Sequence, residues 1–533
     1  MREAARLKTF FVGLCIALGL LGIFVRFYQI TQNQFVYYDE GMWLGANREF
    51  VAAVTYNPPH TFNELVKILQ INLKLSLATA KALWLFLLNL RGFWGGVGAW
   101  YFPRMISAIL GSLTLVMTFF LAKRLSQSWV IGWAALALLA ILPSHVYYSR
   151  LGLQEALSTF CFIAGLYLYL FPRLFHYQTF CSALILSLAF LANYRMIIIP
   201  ILIGFTEVFI SLAEKTKIDL RKYIWHTLTF FAVIFLIGSL NQGSNTHITF
   251  AWMFHQGDLA QGQFDPFNFL SYPYYLFRLE SVLFGLLFFG NIYFFVKRKW
   301  TKLFPFALVC FQMLLFSFAQ EKGVRYLCNT MPLMAIAVSL IIADLWQDYK
   351  ALFSRWIIVG LGALLIMNHL AKANAIIHFH TDYESSMQDL LTIKRDVKVL
   401  STQSMIQKLF VPQDKNVIDP PTQTQYLMAL YAKGYHYLII DPQAYVSFTE
   451  DGQRFTPQLK SYLGFIQKQV KPIKIYPHFN PALLERFVLE HNENLRRSLT
   501  FLSHNQRGQL GALRVYDLRE CLLLLSAKGH SRE

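Results

Sequence analysis

The sequence predicts a polytopic α-helical membrane protein that ends in a mixed α/β domain outside the bilayer. Composition is the first reason: of 533 residues, 55% are hydrophobic and 15% charged, against roughly 25% charged in ordinary soluble domains. Patterning is the second. Apolar residues come in blocks, such as residues 10–30, 106–125 and 356–370. Each runs about one bilayer thickness without the regularly spaced polar residues of an amphipathic soluble helix. The third is a fall in hydropathy after residue 371, beyond which strand-like and helix-like segments alternate.

Eleven apolar blocks read as spans: 9–30, 102–122, 129–147, 156–172, 179–193, 196–213, 223–240, 274–296, 303–319, 326–344 and 355–371. The first follows Arg2, Arg6 and Lys8. It is longer than the apolar part of a secretory leader, and no small-x-small cleavage site follows Ile30, so it reads as a retained span. Cations then sort the loops. With a cytoplasmic N-terminus, Lys123, Arg124, Lys215, Lys217, Arg221, Lys222, Lys297, Arg298, Lys299 and Lys302 all fall on the cytoplasmic side. The opposite side holds Arg150, Arg195, Lys322 and Arg325 in short loops, and no Lys or Arg in residues 241–272. This positive-inside bias accounts for much of the net charge of +18, and a nucleic-acid partner is not needed to explain it. An odd number of spans leaves the C-terminal region outside.

Two domains follow: 1–371 in the membrane and 372–533 as an extracytoplasmic α/β domain. The first outer loop, 31–101, contains an apolar stretch at 62–90 with Lys67, Lys74 and Lys81 seven residues apart, the pattern of an amphipathic helix lying in the interface. Residues 241–272, rich in Gly, Gln and Asn, read as a loop. In the tail, strands are expected at 397–401, 435–441, 473–479 and 513–518, and helices at 423–433, 457–469 and 481–495.

Several function classes drop out. Five of the six cysteines lie in or beside spans and Cys521 stands alone in the tail, so neither a disulfide framework nor a zinc spacing is present. No phosphate-binding loop of the Gly-x-x-x-x-Gly-Lys-Ser/Thr type occurs, which disfavours an ATP-driven transporter. The Asp-x-Asp element of many soluble nucleotide-sugar transferases is also missing. No compact ligand cluster calls for a cofactor, and the sequence leaves a divalent metal open.

What remains is a set of ionisable residues at the outer ends of the spans. Asp39 and Glu40 follow the first span; they read either as a solvated loop start or as a carboxylate base acting on an acceptor hydroxyl. Glu155, beside Arg150, reads as a helix-initiating acid favoured by the macrodipole or as a carboxylate facing a polar cavity. Arg104 opens the second span behind Pro103, which suits a first helical turn. A snorkelling arginine and a bidentate phosphate ligand are its two readings. Arg195, Lys322 and Arg325 oppose the orientation bias, and a lipid phosphate at that surface would explain them.

The ordered landmarks resemble the GT-C superfamily of polyprenyl-phosphate-sugar transferases, in the branch of protein O-mannosyltransferases and lipid A aminoarabinose transferases. They are Asp39-Glu40, the run from Phe102-Pro103-Arg104 to Gly111, Tyr147-Tyr148-Ser149-Arg150-Leu151 with Glu155, Ala192-Asn193-Tyr194-Arg195, and Arg325-Tyr326-Leu327 with Pro332. Together they cover about the first 370 residues. The resemblance implies a GT-C fold, inversion at the anomeric centre and an undecaprenyl- or dolichyl-phosphate-linked sugar donor. It maps the catalytic base onto Asp39 with Glu40 beside it, and the second acid onto Glu155, one methylene longer than the aspartate frequent there. Arg104, Arg150, Arg195, Lys322, Arg325 and Tyr326 become the lipid-phosphate-binding set. The expected partners are that donor, an acceptor protein, lipid or glycan, and the lipids of a bacterial inner membrane.

Other classes share part of this pattern. A secondary transporter shows charged or broken segments at mid-membrane in two related halves, whereas here the charges gather at one rim. A lipid-linked glycan polymerase or ligase shares the lipid substrate but predicts neither the Asp39-Glu40 pair nor an α/β tail. A non-catalytic protein that binds lipid-linked sugar would keep every fold feature.

Overall fold

A computed structural model describes residues 2–31, 38–77, 79, 81–94, 101–171, 177–239, 266–319, 322–348, 352–411, 414–441, 457–477, 480–490, 494–504 and 511–530. It divides into two compact units: Met1–Ile30 with Glu49–Ile377, and Thr31–Arg48 with His378–Glu533. The second unit therefore takes in a piece of the first loop, whereas the sequence places all of that loop with the membrane domain. Most of the expected 241–272 loop lies outside the described residues.

The first unit is built from helices. In order they are α1 (Arg2–Phe27), α3 (Arg48–Tyr56), α4 (Phe62–Leu77), α5 (Ala82–Asn89), α6 (Phe102–Ser126), α7 (Trp129–Ile141), α8 (Pro143–Arg150) and α9 (Glu155–Leu170). Then come α10 (Gln178–Ala192), α11 (Ile199–Glu214), α12 (Leu220–Ser239), α13 (Val282–Phe289), α14 (Trp300–Ser317), α15 (Met331–Asp348) and α16 (Leu352–Ile377). The α2 label belongs to Tyr38–Gly45 of the second unit.

All eleven expected spans fall on apolar helical segments, but they differ in reach. Among the described residues seven helices are long and apolar enough to cross a bilayer, or eight if α7 and α8, bent by 62°, form one broken span. The fourth and fifth expected spans fall on the shorter helices α9 and α10, and the eighth on Val282–Val296. The α7–α8 break has a local cause, because Leu142 is extended and Pro143 starts the next helix, where its missing N–H costs nothing.

The expected interfacial helix over 62–90 is two helices. α5 is apolar all round, and its Trp84, Leu85 and Leu88 are buried, the signature of an enclosed helix rather than a surface one. Amide side chains tie it to α4: Asn72 donates to the Phe86 carbonyl at 3.0 Å and Asn89 donates to Asn72 Oδ1 at 2.9 Å.

In the second unit, five strands form one sheet in the order β2-β1-β3-β5-β4. They are β1 (Lys398–Ser401), β2 (Val417–Ile418), β3 (Tyr435–Ile440), β4 (Lys474–Tyr476) and β5 (Leu513–Asp517). β1 runs parallel to β2 and β3, and β5 antiparallel to β3 and β4. All four expected strands form, while β2, two residues long, carries too little pattern to be read. Alternation places Val399, Val417, Ile439 and Val515 in one apolar cluster, and Leu400, Leu438, Ile440 and Tyr516 in another. Period-two side chains thus bury both sheet faces. Helices α17 (Tyr383–Ile393), α18 (Ser404–Gln407), α19 (Gln425–Ala432), α20 (Pro457–Gln469), α21 (Pro481–Glu490), α22 (Leu495–His504) and α23 (Leu518–His530) accompany the sheet.

Candidate functional site

Three distant stretches of chain meet around Arg195. Asn193 breaks α10, and its side-chain oxygen accepts from the Arg195 N–H at 3.3 Å, starting a short 3-10 turn ahead of α11. That turn holds the guanidinium 4.0 Å from Glu155 Oε1 and 4.2 Å from the centre of the Tyr326 ring. Glu155 begins α9, where the helix dipole favours a carboxylate. The side chain is buried; Gln154 donates to its Oε1 at 3.0 Å, and its Oε2 takes no hydrogen bond among the described residues. Arg195, not Arg150, is therefore the cation beside Glu155.

Tyr326 is fixed by groups that sequence reading passed over. It lies in the 3-10 turn Val324–Thr330. Gln312 of α14 donates to the Tyr326 carbonyl at 2.9 Å and exchanges hydrogen bonds with the Asn329 amide at 2.7 and 3.0 Å. Two amides satisfying each other inside apolar surroundings make a rigid strut. Arg325, buried, shares this turn. At its start, Lys322 is also buried; it donates to the Ala319 carbonyl at 2.5 Å, while the Tyr275 hydroxyl donates to the Lys322 carbonyl at 2.6 Å.

A second cationic group lies at the ends of α1, α6 and α8. Arg104 is buried in the first turn of α6 behind Pro103, and it interacts with Arg150 as a like charge. Arg150 turns to α1, donating to the carbonyls of Val25, Tyr28 (2.9 Å) and Arg26 (3.4 Å). These are carbonyls that a helix end leaves without internal partners.

Arg26, which reads from sequence as part of an apolar span, reciprocates. It is wholly buried and donates to the carbonyls of Gly22 (2.5 Å), Ala140 (2.9 Å) and Leu139 (3.4 Å), the last two at the end of α7. It also reaches His145 Nδ1 at 2.7 Å. A guanidinium only donates, so this nitrogen is the acceptor and His145 is neutral with its hydrogen on Nε2. Glu280, buried nearby in chain contact with α8, accepts from the Ser144 N–H at 3.3 Å. Close approach of α6 to α8 depends on Gly111, where a Cβ would stand 2.3 Å from Ser149 Oγ.

Asp39 and Glu40 stand in the second unit, in the first turn of α2. Glu40 is buried and Asp39 half-buried. The remaining predicted residues, Glu155, Arg104, Arg150, Arg195, Lys322, Arg325 and Tyr326, all belong to the first unit. Among the described residues no group of three or more His, Cys, Asp or Glu side chains is gathered as a metal would need. The first unit thus holds the buried cations Arg104, Arg150, Lys322 and Arg325 and the partly buried Arg195, with Glu155 and Glu280 as buried carboxylates.

Similarity to known proteins agrees with this architecture. Residues 16–237 match the family model of dolichyl-phosphate-mannose-protein mannosyltransferase. No curated protein matches the sequence. Among solved structures, ArnT from Cupriavidus metallidurans in the apo state aligns with a TM-score of 0.56 at 13% identity, covering 82% of this chain and 94% of its own. The same protein bound to undecaprenyl phosphate aligns at 0.51 and 13%, with the same coverage. The Archaeoglobus fulgidus oligosaccharyltransferase in complex with Zn and sulfate aligns at 0.53 and 13%, over 84% of this chain and 70% of its own. At such identities the structures speak for the fold, and the family match covers the first part of the membrane unit. Together they give the chain the fold of these solved proteins, and its long apolar helices make it an integral membrane protein.

Proposed function

We propose that this protein transfers a sugar from a polyprenyl-phosphate carrier to an acceptor hydroxyl at the extracytoplasmic side of a bacterial inner membrane, with inversion. The observation that carries the reading is the Glu155–Arg195–Tyr326 constellation, with Lys322 and Arg325 in the adjoining turn. Cations gathered at the ends of membrane spans are costly unless they meet anions, and a lipid phosphate is one such anion. The match to a dolichyl-phosphate-mannose-dependent family and the likeness to a protein solved with undecaprenyl phosphate support a lipid phosphate as that anion.

In the proposed step, the acceptor oxygen bonds to the anomeric carbon as its proton passes to the Asp39 carboxylate. The bond from that carbon to the phosphate oxygen breaks on the opposite face, and its electron pair stays on the phosphate. Because the leaving phosphate is a weak base, it needs no acid; one carboxylate base suffices, unlike hydrolysis of an ordinary glycoside. Arg104, Arg195, Lys322 and Arg325 neutralise the departing lipid phosphate. Glu155 sets the guanidinium of Arg195, and Arg150 contributes charge from its seat on α1. Glu40 stands beside Asp39 in the same turn. This balance draws on no cofactor, and a divalent cation, if the reaction uses one, would act on the same phosphate. The cytoplasmic N-terminus follows from the distribution of Lys and Arg along the chain.

The test is transfer from a radiolabelled polyprenyl-phosphate sugar by protein in nanodiscs, with a cell-envelope extract as acceptor. Asp39→Asn is expected to lower turnover by about 10²–10⁴-fold, the usual weight of a general base, and Arg104→Ala to weaken use of the donor. Binding of the lipid without transfer, unaltered by Asp39→Asn, would instead mark a carrier-binding protein.

A further inference from the structure

The second unit joins a short stretch of the first loop to a domain more than three hundred residues further along the chain. The place where they join is specific. In the sheet, β1 has β2 on one side and β3 on the other; the chain leaving β1 goes to β2 and the chain leaving β3 goes to β4 at the opposite edge. Between the carboxyl ends of β1 and β3 lies the crevice where open α/β sheets ordinarily hold a ligand. Here that end is closed by polar contacts: the Thr402 hydroxyl donates to Asp441 at 3.2 Å and accepts from the Asp441 N–H at 3.0 Å, and the Tyr383 hydroxyl donates to Asp441 at 2.9 Å. Helix α18 follows β1 directly at this end, and α2 packs on it.

The contact has almost no slack. A Cβ placed on Gly41 would stand 2.8 Å from Ile406 Cγ1, 3.0 Å from its Cα and 3.2 Å from its backbone nitrogen. Ile406 cannot yield easily, because it is wholly buried in the sheet-face cluster with Val399, Val417 and Ile439. On α2 the buried positions are Glu40, Gly41 and Leu44, one face of a single helical turn and a half. Asp39 is on the same first turn, two residues before Gly41.

We infer that the C-terminal domain is a positioning device for the first-loop acids: α18, at the sheet's switch point, holds α2 through Gly41 and Ile406 and thereby sets where Asp39 and Glu40 stand. The inference rests on the proposed role of those two acids. Gly41 and Ile406 touch no substrate and act through the helix. A displacement of about 1 Å in a reacting group can cost on the order of 10²-fold in rate, so a methyl at position 41 is enough to be felt.

The experiment compares full-length wild type with Gly41→Ala, Gly41→Val and the double variant Gly41→Ala/Ile406→Ala, all in nanodiscs. Two quantities are read: transfer kinetics with the radiolabelled donor, and amide hydrogen exchange. Gly41→Ala is expected to lower kcat about tenfold and Gly41→Val about a hundredfold, with donor KM little changed. The double variant, which removes the Cγ1 obstacle, should recover part of the alanine loss. Amides of residues 38–45 should lose protection while those of β3 keep theirs. Wild-type protection at 38–45 in both glycine variants, or equal loss at 38–45 and β3, would overturn the inference. Absence of transfer by the wild type would instead fall on the proposed function, and the exchange data would still decide whether α18 holds α2.

Discussion

At the residue scale the planar guanidinium of Arg195 is the side chain whose replacement tells most. It lies against an aromatic face and beside a carboxylate at once, a combination that an ammonium on a flexible stem reproduces poorly. Arg195→Lys keeps the charge and loses the stacking, which is worth roughly 1–2 kcal/mol in a desolvated site. Donor KM in the transfer assay is therefore expected to rise about tenfold with a smaller change in kcat, and an unchanged KM would detach Arg195 from the donor. The sequence made Arg195 visible because it interrupts an apolar run. It could not show which acid would face it: Glu155 and Arg150 are five residues apart in the chain, yet the ion pair joins Glu155 to a residue forty positions away.

At the element scale two arginines stitch helix ends to each other. Arg26 of α1 takes the Ala140 carbonyl that the α7–α8 break leaves open, and Arg150 of α8 takes the carbonyls at the end of α1. Arg26→Leu would orphan the Ala140 carbonyl of α7 and the acceptor nitrogen of His145. At about 1–3 kcal/mol for a buried group left unsatisfied, a clear drop in the thermal unfolding temperature of the detergent-solubilised protein is expected; an unchanged temperature would show that water replaces the cap. A surface pair in the tail behaves differently. Hydrogen bonds from Lys474 and Tyr476 hold the Asp389 carboxyl below its usual range. A depressed folded-state value contributes stability above the ordinary carboxylate range, and the contribution is lost as pH falls through the folded value. Asp389→Asn should thus reduce exchange protection of β4 and β5 at neutral pH by at most about 1 kcal/mol, given its exposure. The difference should vanish in strong acid, and a difference independent of pH would contradict the assignment.

At the scale of the whole molecule, elements whose pattern is local were legible and those whose placement depends on partners were not. All eleven apolar blocks became helices, because an unbroken run of apolar residues can satisfy its backbone only within itself. Their lengths were less legible: Leu142 and Pro143 bend one span, and α9 and α10 stop at 16 and 15 residues. The stretch 62–90 reads as one helix because its Lys67, Lys74 and Lys81 stay in register, while the turn between α4 and α5 and the burial of Trp84 are set by neighbouring helices.

By itself the sequence determined a many-spanning protein with cations and acids gathered at span ends, four strands of an α/β tail, and an order of landmarks that resembles the GT-C superfamily. These rest on composition, period and motif order, which are properties of neighbouring residues in the chain. Only the tertiary structure decided that Arg195 faces Glu155 and Tyr326, that Arg26 and Arg150 are spent on helix ends, that Gln312 and Asn329 brace the Tyr326 turn, and that Asp39 and Glu40 stand with the tail domain. Each of those joins groups between fourteen and several hundred residues apart. Such pairings are chosen by which buried polar groups can satisfy one another once the helices and the sheet have packed, and no local pattern carries that information.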